Sequence, residues 1–495
     1  MRGTWLASLV LSSTLTLGCA STGAVPPPEL AAPRSEPVPV KSPTPAPVPA
    51  PLVAQAPAAQ ADVEVTASRP VLAADKEEEI FVRVRVRGLP LVEKSRPPIN
   101  LAVVVDASGS MDGDGIAQAK AACTSVVDAM KEGDALSIVT FGSRPAVVVS
   151  AKRIDDESRA AAKKAIAAIV ADGTTDMTGG LRVGLEQLRE HMKPDGINRI
   201  VLVGDGVPND AASATALADQ ANAQRVPITS LGLGPEFDET LMARLAERSG
   251  GSFHFIDDPA KVTKVFQDQI GKMNRLVARN TWVELAGGPG VSIVEGFGVA
   301  ASGRTARIHI GDLTEGQVRD TYLRVKLSGH RDGLKVELFD ATVHHQLPAG
   351  GADIPVSTFA SLRASSDPEA RREANKEVEH GAAKVRVADG IVRGIALARA
   401  GDLASARKLL DAVSKVAQEG AKRFEDAELK GRVEEIAKLK KTLHTLAPPA
   451  PISPFAGLGA GAGAAARPMK SLATPAESLG VRSSHGDAMR VLQGF

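Results

Sequence analysis

The sequence predicts an α/β fold: a doubly wound, mostly parallel, Rossmann-like sheet inserted in a flanking β-sandwich and followed by a small helical region. Three observations lead there. Between residues 99 and 275, short apolar runs such as LAVVV (101–105) and IVLV (200–203) alternate with longer amphipathic stretches. That is the pattern of parallel strands buried on both faces and joined by helices. On either side of this region the apolar residues alternate strictly, as in EEIFVRVRVRG at 78–88, where Ile80, Val82, Val84 and Val86 share one face. Past residue 366 the spacing becomes helical, with Ala406, Leu409, Leu410 and Val413 in register.

In chain order, residues 1–19 (MRGTWLASLVLSSTLTLGC) combine a positive start, an apolar run too short to span a bilayer and small residues before Cys19. They read as an export signal. The segment resembles a bacterial lipoprotein signal, in which the cysteine is lipidated and becomes the first mature residue. Gly18 fits that pattern, while Thr16 stands where leucine is usual. Cleavage without lipidation is the alternative. Residues 20–61, including PVPVKSPTPAPVPAPLVAQAP, are too rich in proline and alanine to pack a core. They favour polyproline II at about 3.1 Å per residue, a semi-rigid spacer.

Residues 62–98 supply the first part of the sandwich, and 276–350 the second, through NTWVELAGGPGVSIVEGFGV, ARIHIGDL, DTYLRVKL and LKVELFDATVHH. His344 and His345 are neighbours on a strand and point to opposite faces, which argues against a shared ion. Within 99–275 the expected order is strand 99–106, helix 115–131, strands 134–141 and 145–150, helices 155–171 and 178–192, then strand 197–204. Helix 209–224, strand 226–233, helix 238–249, strand 252–256 and helix 259–274 complete it, with an antiparallel edge near 145–150. Cys123 falls on an apolar helix face with Ala119, Val126 and Val127 and reads as core. Residues 351–446 are assigned as helical, most clearly over 366–446, with a turn AGDLA at 400–404. A small bundle packed on the sandwich is preferred to a tetratricopeptide array, which needs about three units. Residues 447–495 read as an Ala/Gly/Pro-rich flexible tail.

The chemistry concentrates where the first buried strand ends. LAVVVDASGSM (101–111) runs from a β-branched strand into Asp106, Ser108 and Ser110, three oxygen ligands on one turn at the carboxyl edge of a parallel sheet. Mg²⁺ takes about six oxygens and keeps several waters, so hydroxyls with one or two carboxylates leave positions that an outside acid can fill. Asp112 and Asp114 fail the EF-hand pattern, because Ile116 and Ala117 stand at its fifth and sixth positions. They read as acids at the N-terminus of the following helix.

This DxSxS run resembles the metal-ion-dependent adhesion site of the von Willebrand factor type A (VWA) domain, over about residues 99–275. DALSIVTF (134–141), GTTDMTGGL (173–181) and RIVLVGDGVPND (199–210) follow in the order of that family. The resemblance implies that Ser108, Ser110 and Thr175 bring hydroxyls to the metal and that Asp106 and Asp205 act directly or through water. It implies Mg²⁺ first, with Mn²⁺ or Ca²⁺ as alternatives, and a partner protein offering an exposed Asp or Glu. The chain is also similar to exported bacterial VWA lipoproteins named as homologues of calcium-activated chloride channel proteins.

Composition narrows the function. The chain has 495 residues, 43% apolar, with 59 Lys+Arg against 58 Asp+Glu and 3% aromatic residues. Neither a basic domain nor an aromatic stacking surface speaks for nucleic acid. With Cys19 lipidated, Cys123 has no partner for an intramolecular disulfide. The expectation is a non-catalytic protein of the bacterial cell envelope, anchored by an N-terminal lipid, with Ala20 suiting outer-membrane sorting in a cell that has one. A metal-assisted envelope hydrolase is the first alternative, disfavoured because HExxH, GxSxG and GxxxxGK[ST] are all missing. An accessory subunit of an ion-transport or secretion assembly is the second. The oligomeric state is not legible in the sequence.

Overall fold

The computed structural model describes residues 59–90, 97–193, 196–204, 210–233, 239–256, 258–445, 484–489 and 491–492. Residues 1–19, expected as an export signal ending at Cys19, and nearly all of residues 20–61, expected as a Pro-rich spacer, lie outside them. The described chain begins with β1 (Ala61–Ala67), β2 (Val71–Ala73) and β3 (Glu78–Gly88). It continues through β4 (Ile99–Asp106), α1 (Asp114–Ala129), β5 (Ala135–Phe141), β6 (Pro145–Arg153), α2 (Asp156–Ala167) and α3 (Met177–His191). β7 (Ile197–Gly204), α4 (Ala211–Ala223), β8 (Ile228–Leu233), α5 (Glu239–Ser249), β9 (Phe253–Ile256) and α6 (Val262–Asn274) complete the α/β part. There follow β10 (Leu276–Gly287), β11 (Val291–Gly296), β12 (Ala301–Ser302), β13 (Thr305–Thr314), β14 (Val318–Leu327), β15 (Lys335–Leu347) and β16 (Gly350–Ser365). Last come α7 (Lys376–Arg399), α8 (Leu403–Phe424) and α9 (Ala427–Thr442).

The α/β sheet has the order β6-β5-β4-β7-β8-β9, parallel except for β6 at one edge. Alternation along a strand sends side chains to opposite faces, so β4 feeds two cores. Leu101, Val103 and Val105 pack with Cys123, Val126 and the α6 residues Phe266 and Ile270. Ala102 and Val104 pack with Leu181, Leu185, Ala218 and Leu245 on the other side. Cys123 is a core residue, and burial pushes its thiol up to about 12, which removes it from thiolate chemistry. The second helix of this region ends at Ala167 instead of 171. Ile169 leaves the helix to join the core, and the Asp172 N–H is taken by the Ala107 carbonyl at 2.7 Å.

Strands from before and after this domain interleave. β3 lies between β1 and β14 in a four-stranded sheet, with Val84 opposite Thr321 and Val82 opposite Leu323. The facing sheet has the order β12-β13-β10-β15-β16-β2, where β2 joins β16 in parallel. Val82, Val84 and Val86 from one sheet meet Val283, Leu285, Phe339 and Val343 from the other. The α/β domain is therefore an insertion between β3 and β10, attached at the amino ends of its parallel strands.

Residues 350–365, expected within the helical region, form β16, the partner of β15 from Lys335↔Arg363 to Leu347↔Gly350. The helices begin at Lys376. The imidazole of His345 is fully buried and its Nε2 accepts the Gln60 N–H at 3.0 Å. His344, on the opposite face, stacks on Trp282 with ring centroids 3.9 Å apart, so the two histidines share no ion. The bundle of α7, α8 and α9 sits on the sandwich through Val378, Ala382 and Val385, which pack against Phe297 and Tyr322. Gly401, at φ +87°, ends α7, and the Asp402 carboxylate caps α8 by accepting the Ser405 N–H at 3.0 Å.

The tail needs one correction. Residues 484–489 and 491–492 are helical, and Ala488 is fully buried in the bundle core. Met489 packs on the α/β core, while Val491 and Leu492 pack near Phe297 and Tyr322. Apolar side chains at helical spacing anchor this stretch despite the low-complexity sequence before it. Ending the chain at Ser483 is expected to cost about 2 kcal/mol or more, a fall in Tm of about 4 °C or more in a thermal melt.

Candidate metal centre

β4 delivers Asp106 to the carboxyl edge of the sheet, where its carboxylate is fully buried. Its Oδ1 accepts the Ser108 N–H at 2.8 Å, which folds the chain into a tight turn. A short 3₁₀ turn, Gly109–Met111, follows, and the buried Met111 side chain pins it to the core. Ser108 is 2% exposed, whereas Ser110 opens to solvent. Their hydroxyls are hydrogen-bonded at 3.0 Å.

A second segment is lashed to this turn by its main chain. Asp172 N–H donates to the Ala107 carbonyl at 2.7 Å and Gly109 N–H to the Gly173 carbonyl at 3.1 Å. Thr174 N–H donates to Ser143 Oγ at 3.0 Å, and Asp176 N–H to the Gly142 carbonyl at 2.8 Å. Asp176 then caps α3, its Oδ1 accepting the Gly179 N–H at 2.9 Å. Thr175 is half-buried in a stretch held at both ends. The third segment enters on β7, whose Val203 lies beside Val105 of β4. A Cβ on Gly204 would stand 3.1 Å from Asp106 Oδ2, so glycine lets β7 end against that carboxylate. Asp205, the next residue, lies outside the described residues. On its far side Asp210 caps α4, and its carbonyl accepts the Thr178 hydroxyl at 2.9 Å. The Ser213 hydroxyl and N–H hold the Asp210 carboxyl below its ordinary value.

The donors fit a small hard cation. Adjacent ligands of an octahedral ion with bonds of about 2.0–2.1 Å are roughly 2.8–3.0 Å apart, the separation of the two serine hydroxyls. Oxygen donors of this kind suit Mg²⁺ or Mn²⁺. Among the described residues no group of three or more His, Cys, Asp or Glu converges on one point. Asp112 and Asp114 are exposed beside it. Neither makes a capping bond to α1: Gly113 is the N-cap residue, at φ +83°, and Asp114 lies in the first helical turn, where its charge meets the helix dipole.

Sequence reasoning passed over Gly142 and Gly173, which set how closely the segments approach. A Cβ on Gly142 would lie 2.5 Å from the Asp172 carbonyl oxygen and 3.4 Å from that of Ala107. Gly173 has φ +84°, and a Cβ there would meet Ser143 Oγ at 2.2 Å. Gly142→Ala is expected to spread the segments and weaken Mn²⁺ binding about 10-fold or more, read by calorimetric titration, with every proposed ligand still in place.

A doubly wound, mostly parallel sheet with a hydroxyl-bearing turn at its carboxyl edge defines the class of domain as α/β. Residues 100–268 match the family model of the von Willebrand factor type A domain, and this part of the chain is a VWA domain. VWA domains mediate protein–protein contacts, often through a divalent metal. The uncharacterised protein sll0103 of Synechocystis is 27% identical over 270 residues, covering 52% of this chain and 63% of that relative. The chain thus spans less than two thirds of that relative's length. A von Willebrand factor type A structure from Catenulispora acidiphila superimposes with a TM-score of 0.60 at 19% identity, over 77% of this chain and 89% of that one. The ArnB paralog VWA2 from Sulfolobus acidocaldarius gives 0.51 at 16% identity, over 87% and 98%. The shared fold therefore extends past the VWA domain into the flanking regions.

Proposed function

We propose that this protein captures a partner protein through a divalent cation held by Asp106, Ser108, Ser110, Thr175 and Asp205, with an Asp or Glu of the partner completing the shell. The observation that carries the reading is the turn at the end of β4, where a buried carboxylate and two hydroxyls 3.0 Å apart stand together with Ser110 facing solvent. Mg²⁺ is the preferred ion, Mn²⁺ the nearest substitute. The bound ion supplies positive charge for a carboxylate, and the proposed role is binding without catalysis.

The insertion geometry supports the reading. The domain joins the sandwich at the amino ends of its strands, and β4 carries the metal turn roughly 25 Å away at the other end. In the proposal the sandwich and bundle are a pedestal in the bacterial cell envelope, tethered through the Pro-rich spacer to a lipid on Cys19. The test is capture from envelope extract on the immobilised full chain in Mg²⁺, with elution by chelator. The expected result is a protein that leaves with EDTA and is not retained by Asp106→Ala. Retention indifferent to both would overturn the proposal.

A further inference from the structure

Trp282 lies on the outer face of the six-stranded sheet: Thr281 and Val283 beside it in β10 are fully buried, while its own indole is half-buried. β10 runs between β13 and β15, and each neighbouring strand lays a flat group on that indole. The His344 ring stacks at 3.9 Å with planes 2° apart, and the Arg307 guanidinium carbon lies 3.9 Å from the ring centroid. Asp353 fixes the imidazole, its Oδ2 standing 2.7 Å from Nδ1. Beside the stack opens a groove of about 520 Å³, lined by Trp282, Glu284 and Arg307 and, from the β12–β13 hairpin, by Ser302 and Thr305. Glu284 stands opposite Arg307 in the ladder, yet the two form no ion pair. Among the described residues Arg307 makes no hydrogen bond or ion pair, and the Glu284 carboxylate has only His344 Nε2, at 3.8 Å.

A planar fork of donors and a carboxylate, side by side and not spent on each other, suit a ligand that both accepts and donates at neighbouring atoms. Vicinal hydroxyls do both. A ligand with a full charge would meet its own sign in one of the two groups. We infer that the groove binds a neutral saccharide, its ring hydroxyls accepting from Arg307 and donating to Glu284, with the Ser302 and Thr305 hydroxyls at the rim. Ala300 and Ala301 also line the groove, and with the indole edge they offer apolar surface to the C–H face of a sugar ring. The volume falls in the range of about 300–1,000 Å³ usual for small-molecule sites, which suits a short oligosaccharide and excludes a folded partner. Because the stack already holds Trp282 and Arg307 in place, little side-chain freedom is lost on binding.

The test is titration of the full chain in EDTA, which keeps the metal centre out of the measurement, followed by calorimetry and by indole fluorescence. The probes are chitotriose and maltotriose, both neutral, and trigalacturonate, which is anionic. Saturable binding of at least one neutral probe is expected, with a Kd of about 1 mM or tighter. Arg307→Ala and Glu284→Gln, both at exposed positions, are each expected to weaken it about 10-fold or more while the circular dichroism spectrum is unchanged. No saturable signal with either neutral probe, or wild-type affinity in either variant, overturns the inference. Tighter binding of trigalacturonate than of both neutral probes would overturn it as well, since the groove would then select for charge.

Discussion

Replacing Asp106 by alanine lowers the affinity of the folded chain for Mg²⁺ and Mn²⁺ by roughly 100-fold or more, since a ligand should cost at least as much as the groups that support one. Asp106 does two things: it offers a negative charge to the ion, and its Oδ1 holds the Ser108 N–H at 2.8 Å. Asp106→Asn separates them. The amide oxygen still accepts from Ser108 and keeps the turn, while the charge is gone. On this account the asparagine variant retains its circular dichroism spectrum and loses most of its affinity in calorimetric titration. Full affinity in that variant would mean that the carboxylate only shapes the loop.

Phe141→Ala is expected to lower the stability of the VWA domain by about 3–5 kcal/mol, a fall in Tm of about 10 °C. Phe141 is fully buried at the end of β5. A Cβ on Gly180 would lie 2.8 Å from its ring, so α3 is seated directly on it, and one on Gly204 would lie 3.6 Å away. Its carbonyl accepts the Ala107 N–H at 2.8 Å, inside the metal turn. Removing the ring leaves a void under all three segments of the site. Phe141→Leu keeps most of the volume and is expected to cost less than about 1.5 kcal/mol. Equal losses in the two variants would show that the ring does not fill this space.

How much of this was legible depended on how local the signal is. The central strands of the VWA domain are buried on both faces, so LAVVV and IVLV announced themselves as apolar runs, and the largely exposed antiparallel edge at Pro145–Arg153 showed as a second strand following closely on the first. Asp106, Ser108 and Ser110 lie within five residues, and one turn brings them together. Thr175 is different, because its place depends on main-chain bonds such as Gly109 to Gly173 that no side-chain pattern records. Residues 350–365 misled because Ala, Ser, Thr and Pro alternate there with few large apolar residues, and such a strand draws its identity from its neighbour β15. Composition likewise hid residues 484–489 and 491–492, where a few apolar side chains outweigh the Ala/Gly/Pro-rich sequence before them.

A crystal of the full chain soaked in Mn²⁺ and measured for anomalous scattering tests the central claim most directly. The account predicts a peak about 2.2 Å from both Ser108 Oγ and Ser110 Oγ, close to the Asp106 carboxylate. No peak between those oxygens in a fully soaked crystal would contradict it.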